Sequence, residues 1–490
     1  MAPPARTASV HPAAPSGLSG SGRPAGGDAV AEARRILAAG DLRDAAAALE
    51  RALAANPSPG EAEAIRRERE RLRRIRRDYP HDRTSLAKLL REAVRGFREE
   101  EIAEWEAKGL LDRILVDGQP RWFGSSISNL WHRSREVRPR WLIEAPTHRR
   151  LAFIRDHQAE IASAVAAGGG PYVVPRRFEV TMTVTVKADA VPAGKTVRCW
   201  LPYPVEYGAQ RDIALASADP EPVSVDRPDA PQRSVHLERP AAAGEPTRFR
   251  IAYALTRYAT ANVVDPARVK PLPADHPEVR AWCREQPPHV VFTPELRKLA
   301  AELRGGEGNP AVLARRIFDW IGTNILYSYA PEYSTIPSLA PECLRRGSGD
   351  CGQEAMLFIA LCRINGIPAR WQTAWTLWPW KPGMHDWTEI FLDAHGWVPV
   401  DPYESVGYRS VCEEGTPEER ERFRSFYCGG LDGWRLVCNR DHGAPLSPPK
   451  THPRSDDVDF QRGEVEWEGG NLYFDSFEYE LKAKEIPSVK

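Results

Sequence analysis

The chain has no net charge: 67 lysines and arginines are balanced by 67 aspartates and glutamates over 490 residues. Without an excess of one sign there is no bulk attraction to nucleic acid or to an anionic membrane surface. The densest basic run, Arg66 to Arg74, is interrupted by Glu68 and Glu70, which is the pattern of a solvated helix face. No apolar stretch is long enough to span a bilayer. The N-terminal segment is rich in Ala, Pro, Gly and Ser and lacks the continuous apolar run of a secretory signal. These absences lead to the expectation of a cytoplasmic protein with no nucleic-acid partner and no membrane span; secretion stays open if the start codon is misassigned. None of the eight cysteines forms a CxxC pair, so the usual structural zinc patterns are excluded. There is no HExxH either, and the histidines are scattered, so neither a metal nor a cofactor is expected. Eight cysteines in so long a chain do not read as a disulfide framework.

The organisation is that of an α+β multidomain chain. Residues 1–28 are small and Pro/Gly-rich, the composition of a disordered segment. Across 29–168 the apolar spacing is helical. Ala33, Ile36 and Leu37 and then Ala45, Leu49 and Leu53 flank Gly40-Asp41, a hairpin of tetratricopeptide type. One such hairpin cannot bury its own face, so this region must pack on something else, a protein partner among the candidates. After Gly168-Gly169-Gly170-Pro171 the period becomes two: Phe178, Val180, Met182, Val184 and Val186 alternate with Glu179, Thr181, Thr183 and Thr185. Residues 172–260 are expected to form a β-sandwich, 261–308 a Pro-rich linker and helix, 309–412 an α+β core, and 413–490 a C-terminal extension.

The chemistry is concentrated in that core. Cys351 stands where the glycine-rich Gly347-Ser348-Gly349-Asp350 runs into a helical pattern ending at Asn365-Gly366. His385 follows in Gly383-Met384-His385-Asp386-Trp387, and Asp401 in Val400-Asp401-Pro402. A thiol attacks as thiolate. A helix N-terminus and a neighbouring imidazolium would both lower its pKa, and an aspartate would fix the imidazole tautomer. A turn at 393–396 folds the strand ending at Asp401 back on the strand of His385. A regular ladder sets Asp401 opposite Thr388, about three residues from His385, so a bulge or a bend at Asp386-Trp387 is expected. Asp386 is set aside as the sequence neighbour of His385, Asp393 and His395 as turn residues, and Cys362 as an inert core thiol. Trp371, Trp375, Trp378, Trp380 and Trp387 are candidates for a substrate groove and equally for core.

Four blocks in order, Gly349-Asp350-Cys351-Gly352, Arg363-Ile364-Asn365-Gly366-Ile367-Pro368, His385-Asp386-Trp387-Thr388-Glu389 and Trp397-Val398-Pro399-Val400-Asp401-Pro402, resemble the bacterial transglutaminase-like domain. The resemblance implies a papain-like fold and a triad in which Cys351 is nucleophile, His385 base and then acid, and Asp401 the orienting residue. It also implies an oxyanion donor near the cysteine, for which Tyr327, Tyr329 and Gln353 are candidates. Acyl transfer on a protein or peptide amide through a thioester is the expected reaction. Hydrolysis is favoured over glutamine–lysine cross-linking because no amine site can be read. The rival is a catalytically silent binding or scaffold module built on the helical and β domains.

Overall fold

The computed structural model describes residues 26–143, 149–411 and 416–487. The expectation of disorder therefore falls almost wholly outside the described residues; its last three positions open the helix Gly26–Ala38. The chain divides into two compact units, residues 1–145 and 146–490, and the α+β multidomain class holds.

In the first unit, helices Gly26–Ala38 and Leu42–Ala54 form the expected hairpin about Gly40, which adopts a φ of +95° that favours glycine. The apolar face is covered within the unit: Ala33, Ala45 and Leu49 share a core with Ile65 and Leu72 of the helix Pro59–Asp78. That third helix starts at a capping box in which Ser58 and Glu61 satisfy each other's backbone N–H groups. The region is not all helical. Strands Arg113–Val116 and Gln119–Trp122 pair antiparallel across Asp117-Gly118, both with positive φ. Asp-Gly directly after the apolar run Ile114-Leu115-Val116 is the hairpin signal that the helical reading passed over. The hairpin seats Trp122 in a second core with Leu86, Leu90, Ile102 and Leu130.

In the second unit, two five-stranded sheets share one apolar core that includes Phe178, Met182, Cys199, Leu201, Leu237 and Phe249. Their strands are not confined to 172–260. Phe477–Ile486 pairs along Tyr172–Val186, Glu464–Trp467 pairs with Thr196–Pro202, and Gly430–Leu431 pairs with Thr247–Ala261. The C-terminal segment is thus woven into the β domain rather than appended to it. An edge strand leaves N–H and C=O groups unpaired, and these segments fill that place. The period-two run Phe477, Tyr479, Leu481 and Ala483 carried this in the sequence.

The remaining core is a four-stranded sheet in the order Gly396–Val400, Gly383–Leu392, Ala369–Thr376 and Arg435–Asn439. Its last strand again comes from the C-terminal segment. The helix Cys351–Ile364 packs against it and is buried from Gly352 to Arg363. This explains why its sequence is apolar all round rather than striped. The helix closes at Asn365 and Gly366, the latter with φ +78°.

Candidate active site

Cys351 is the first residue of its helix, directly after the N-cap Asp350, whose side chain accepts the Gln353 N–H at 3.1 Å. The entry is held by a short parallel pairing of Ser348–Gly349 with Leu326–Tyr327. Gly352 is required by close approach: a Cβ there would lie 2.0 Å from the Tyr333 hydroxyl. That hydroxyl donates to Asp350 Oδ1 at 2.9 Å and lies 3.3 Å from Asp386 Oδ2.

The thiol of Cys351 donates to Asp386 Oδ2 at 3.6 Å, and its hydrogen bond does not go to His385. Asp386 is fixed from its other side by Thr373 Oγ1 and by Gln461 Nε2, the latter at 2.8 Å. Gln461 Nε2 also reaches Thr373 Oγ1 and the His385 carbonyl, while its own carbonyl accepts from Trp375 Nε1 at 3.0 Å. Burial pushes Asp386 up to about 7, with repulsion from Asp350 and Asp456 adding to it. Asp350 is pushed up to about 6, mainly by burial. The thiol is driven well above its ordinary value by burial and then by Asp386 and Asp350. The sequence expectation of a depressed thiol pKa is thereby reversed. A helix N-terminus offers about half a positive charge, and desolvation with two carboxylates outweighs it.

His385 lies on the adjoining strand and Asp401 just beyond the next. His385 Nε2 and Asp401 Oδ2 are 2.8 Å apart. The ladder between the two strands is regular from Leu392↔Gly396 to Thr388↔Val400. Asp401 therefore comes level with Trp387, and His385 is its diagonal neighbour on the same face. The expected bulge is absent from this ladder; a diagonal separation is within reach of an imidazole and a carboxylate. Trp387 stacks on the His385 ring at 5.6 Å, and Tyr403 meets it edge-on at 5.0 Å.

Asp401 is fully buried, and the counter-charge is Arg435, also fully buried. Its guanidinium donates to Asp401 Oδ2 at 2.9 Å, Glu404 Oε1 at 2.8 Å and Asp432 Oδ2 at 2.8 Å. Burial by itself would lower the Arg435 pKa; Asp432, Asp401 and Glu404 outweigh it and hold the arginine charged. Burial likewise works against ionised Asp432, and Arg435 prevails there too. His385, Asp401 and Glu404 bring one donor atom each within 4.8 Å of one another. They do not fit a metal ion, because the guanidinium already occupies the position between the two carboxylates.

The remaining sequence candidates separate clearly. Tyr327 is half-buried, sits in register with Gly349 and packs 5.2 Å from Tyr403. Burial keeps its phenol protonated, so it is a neutral donor beside the thiol. Tyr329 is exposed and packs 5.5 Å from Tyr327. Gln353 is buried beneath Gly349, where an added Cβ would meet its own Cβ at 2.8 Å. The groove candidates Trp375, Trp378 and Trp387 are all buried. Trp375 holds Gln461. Trp378 stacks on Trp380 and Trp434, and Trp387 donates to Gln372 Oε1 at 2.6 Å. They are packed interior rather than an open groove, with the N–H groups of Trp375 and Trp387 hydrogen-bonded. Arg435, Tyr333 and Gln461 were not assigned roles from sequence, and Asp386 was set aside. Gln461 stands in a recognisable block, Phe460 to Trp467, but nothing near Arg435 marks it out.

Residues 297–402 match the model of the transglutaminase-like superfamily, and the chain carries that domain there. The comparison with curated proteins finds no match. Among solved structures, a candidate cysteine protease from Cytophaga hutchinsonii is similar at 16% identity and a TM-score of 0.41, over 65% of this chain and 93% of that one. The periplasmic domain of TgpA from Pseudomonas aeruginosa is similar at 17% identity and a TM-score of 0.24, over 53% of this chain and 94% of that one.

Proposed function

We propose that this chain, which carries a transglutaminase-like domain over residues 297–402, is a cysteine-dependent acyl-transfer enzyme that hydrolyses amide bonds in proteins or peptides. The observation that carries the reading is the 2.8 Å contact between His385 Nε2 and an Asp401 carboxylate held by buried Arg435. An ionised carboxylate only accepts, so Nε2 carries the proton and Nδ1 is the basic nitrogen.

In the proposed reaction the Cys351 S–H proton passes to His385 Nδ1 as Sγ bonds to the carbonyl carbon. The imidazolium, steadied by Asp401, then gives that proton to the leaving nitrogen as the C–N bond breaks and a thioester forms. Water, deprotonated by the same imidazole, attacks the thioester and restores the thiol. Tyr327 supports oxyanion stabilisation as a neutral donor level with the helix entry. Because the resting thiol is protonated and bound to Asp386, it must turn from Asp386 toward His385 to react.

A second reading is favoured by that same thiol–carboxylate hydrogen bond: a silent module whose cysteine is never activated. The pH dependence of Cys351 alkylation by iodoacetamide, in wild type and His385→Ala, separates the two. Reactivity that rises with substrate-like peptide amides present and falls in His385→Ala supports the enzyme. A thiol indifferent to His385 under all conditions, with no peptide or glutamine amide turned over, supports the module.

A further inference from the structure

A second polar site lies apart from Cys351, between the catalytic sheet and the β domain. A cavity of about 320 Å3 is walled by Arg257, Gln372, Glu389, Arg440 and Tyr207, and Tyr172, exposed by about a third, brings it to the surface. Among the described residues, nitrogens of four lining residues have no hydrogen-bond partner: the N–H donors Arg257 Nη2, Arg440 Nε and Gln372 Nε2, and His395 Nε2. The rest of each group is held firmly. Arg257 is fully buried, with Nε on the Arg435 carbonyl at 2.6 Å and Nη1 on the carbonyls of Ala209 and Tyr258 at 2.7 Å. Arg440 Nη2 is bound to Glu389 at 3.0 Å. Gln372 Oε1 accepts from Trp387 Nε1, which fixes the amide so that its NH2 is the end left over.

Buried donors are almost always paired; the Arg257 and Arg440 guanidinium groups lie over the Tyr207 ring, 5.7 and 4.7 Å from its centroid, and three N–H donors without an acceptor on residues that line one cavity describe the complement of an anion. Two guanidinium groups face a single carboxylate, Glu389, whose negative charge is held by Arg440 and Arg370 against the opposing pull of burial. We propose that this cavity binds a small monocarboxylate, its oxygens taking the free N–H groups of Arg257, Arg440 and Gln372 and its body lying against the tyrosine rings. A phosphate brings a charge of about −1.5 to −2 at neutral pH and is disfavoured by the fixed negative charge of Glu389. A monoanion meets that repulsion once, and guanidinium pairs recognise its planar oxygens well.

The test is calorimetric titration of the full chain with sodium benzoate, sodium acetate and inorganic phosphate at constant ionic strength in chloride. Saturable binding of benzoate and acetate at one site per chain is expected, with phosphate weaker. Arg440→Gln and Gln372→Glu should each weaken benzoate binding about tenfold or more, with circular dichroism showing that the variant is folded. If one variant fails to fold, the other decides. Absence of saturable carboxylate binding, phosphate binding tighter than benzoate, or affinity unchanged in a folded variant would overturn the proposal.

Discussion

The two sides of the candidate site both enclose carboxylates and shift them in opposite directions. Around Asp401, three acidic groups share one guanidinium, Arg435, which holds Asp432 ionised. Around Cys351, Asp350 and Asp386 have a phenol, a threonine, a glutamine and a thiol for company, and both are pushed toward neutrality. Glu354, fully buried one helical turn on, has no hydrogen-bond partner among the described residues and is likewise driven well upward by burial. Burial alone favours the protonated acid; a buried carboxylate stays charged only where a cation shares its enclosure. The site therefore has a charged half beside the imidazole and a half beside the thiol whose acids are drawn toward protonation.

This contrast can be broken from either side. The largest effect is expected in Asp401→Asn, where the amide oxygen is drawn to the Arg435 guanidinium and the NH2 turns toward Nε2, favouring the wrong tautomer. Turnover of any peptide amide accepted by the wild type should fall by about 10^4-fold, measured as kcat/KM. Arg435→Met should come next, because three buried carboxylates lose their counter-ion; stability should drop by about 3–5 kcal/mol, read from urea unfolding.

The half beside the thiol should show itself in pH dependence. Asp386 titrates near 3.8 when unfolded and is pushed up to about 7 when folded. Between those values the folded state holds the extra proton, so this group's contribution to stability is full below about 4 and is lost as pH rises through about 7. Melting temperatures across pH 4 to 8 should therefore fall less steeply in Asp386→Asn than in wild type. The same substitution removes a negative charge beside the thiol, and iodoacetamide should label Cys351 about tenfold faster at neutral pH. An unchanged rate would mean that burial alone holds the thiol protonated. The smallest effect is expected in Gln461→Leu, which deprives Asp386 and the His385 carbonyl of a donor. About 1–2 kcal/mol of stability should be lost, with a shift in the alkylation pH profile that a purely structural role would not produce.

Much of the core was legible from local pattern. Asp350-Cys351-Gly352 could be read as a helix mouth because a capping residue, a small residue and an apolar run are adjacent in sequence. The return of Asp401 toward His385 followed from a four-residue turn. The misreadings share one cause. Asp386 alternates away from His385 along the strand and so looked irrelevant, but the helix entry and Tyr333 converge on it. Tryptophans that could equally line a groove or fill a core were sorted only by what packs on them.

The sequence by itself determined the helix that presents Cys351, the hairpin that pairs His385 with Asp401, and the period-two strands of the β domain. Each is set by residues a few positions apart, where backbone geometry and burial periodicity act directly. Tertiary structure alone decided that Arg435 neutralises Asp401, that Gln461 braces Asp386, and that Arg257, Gln372 and Arg440 meet across one cavity. Those contacts join residues up to 183 positions apart (Arg257 to Arg440). Whether a buried group is charged, protonated or left waiting for a ligand depends on which distant side chain shares its enclosure. No local pattern in a chain encodes that.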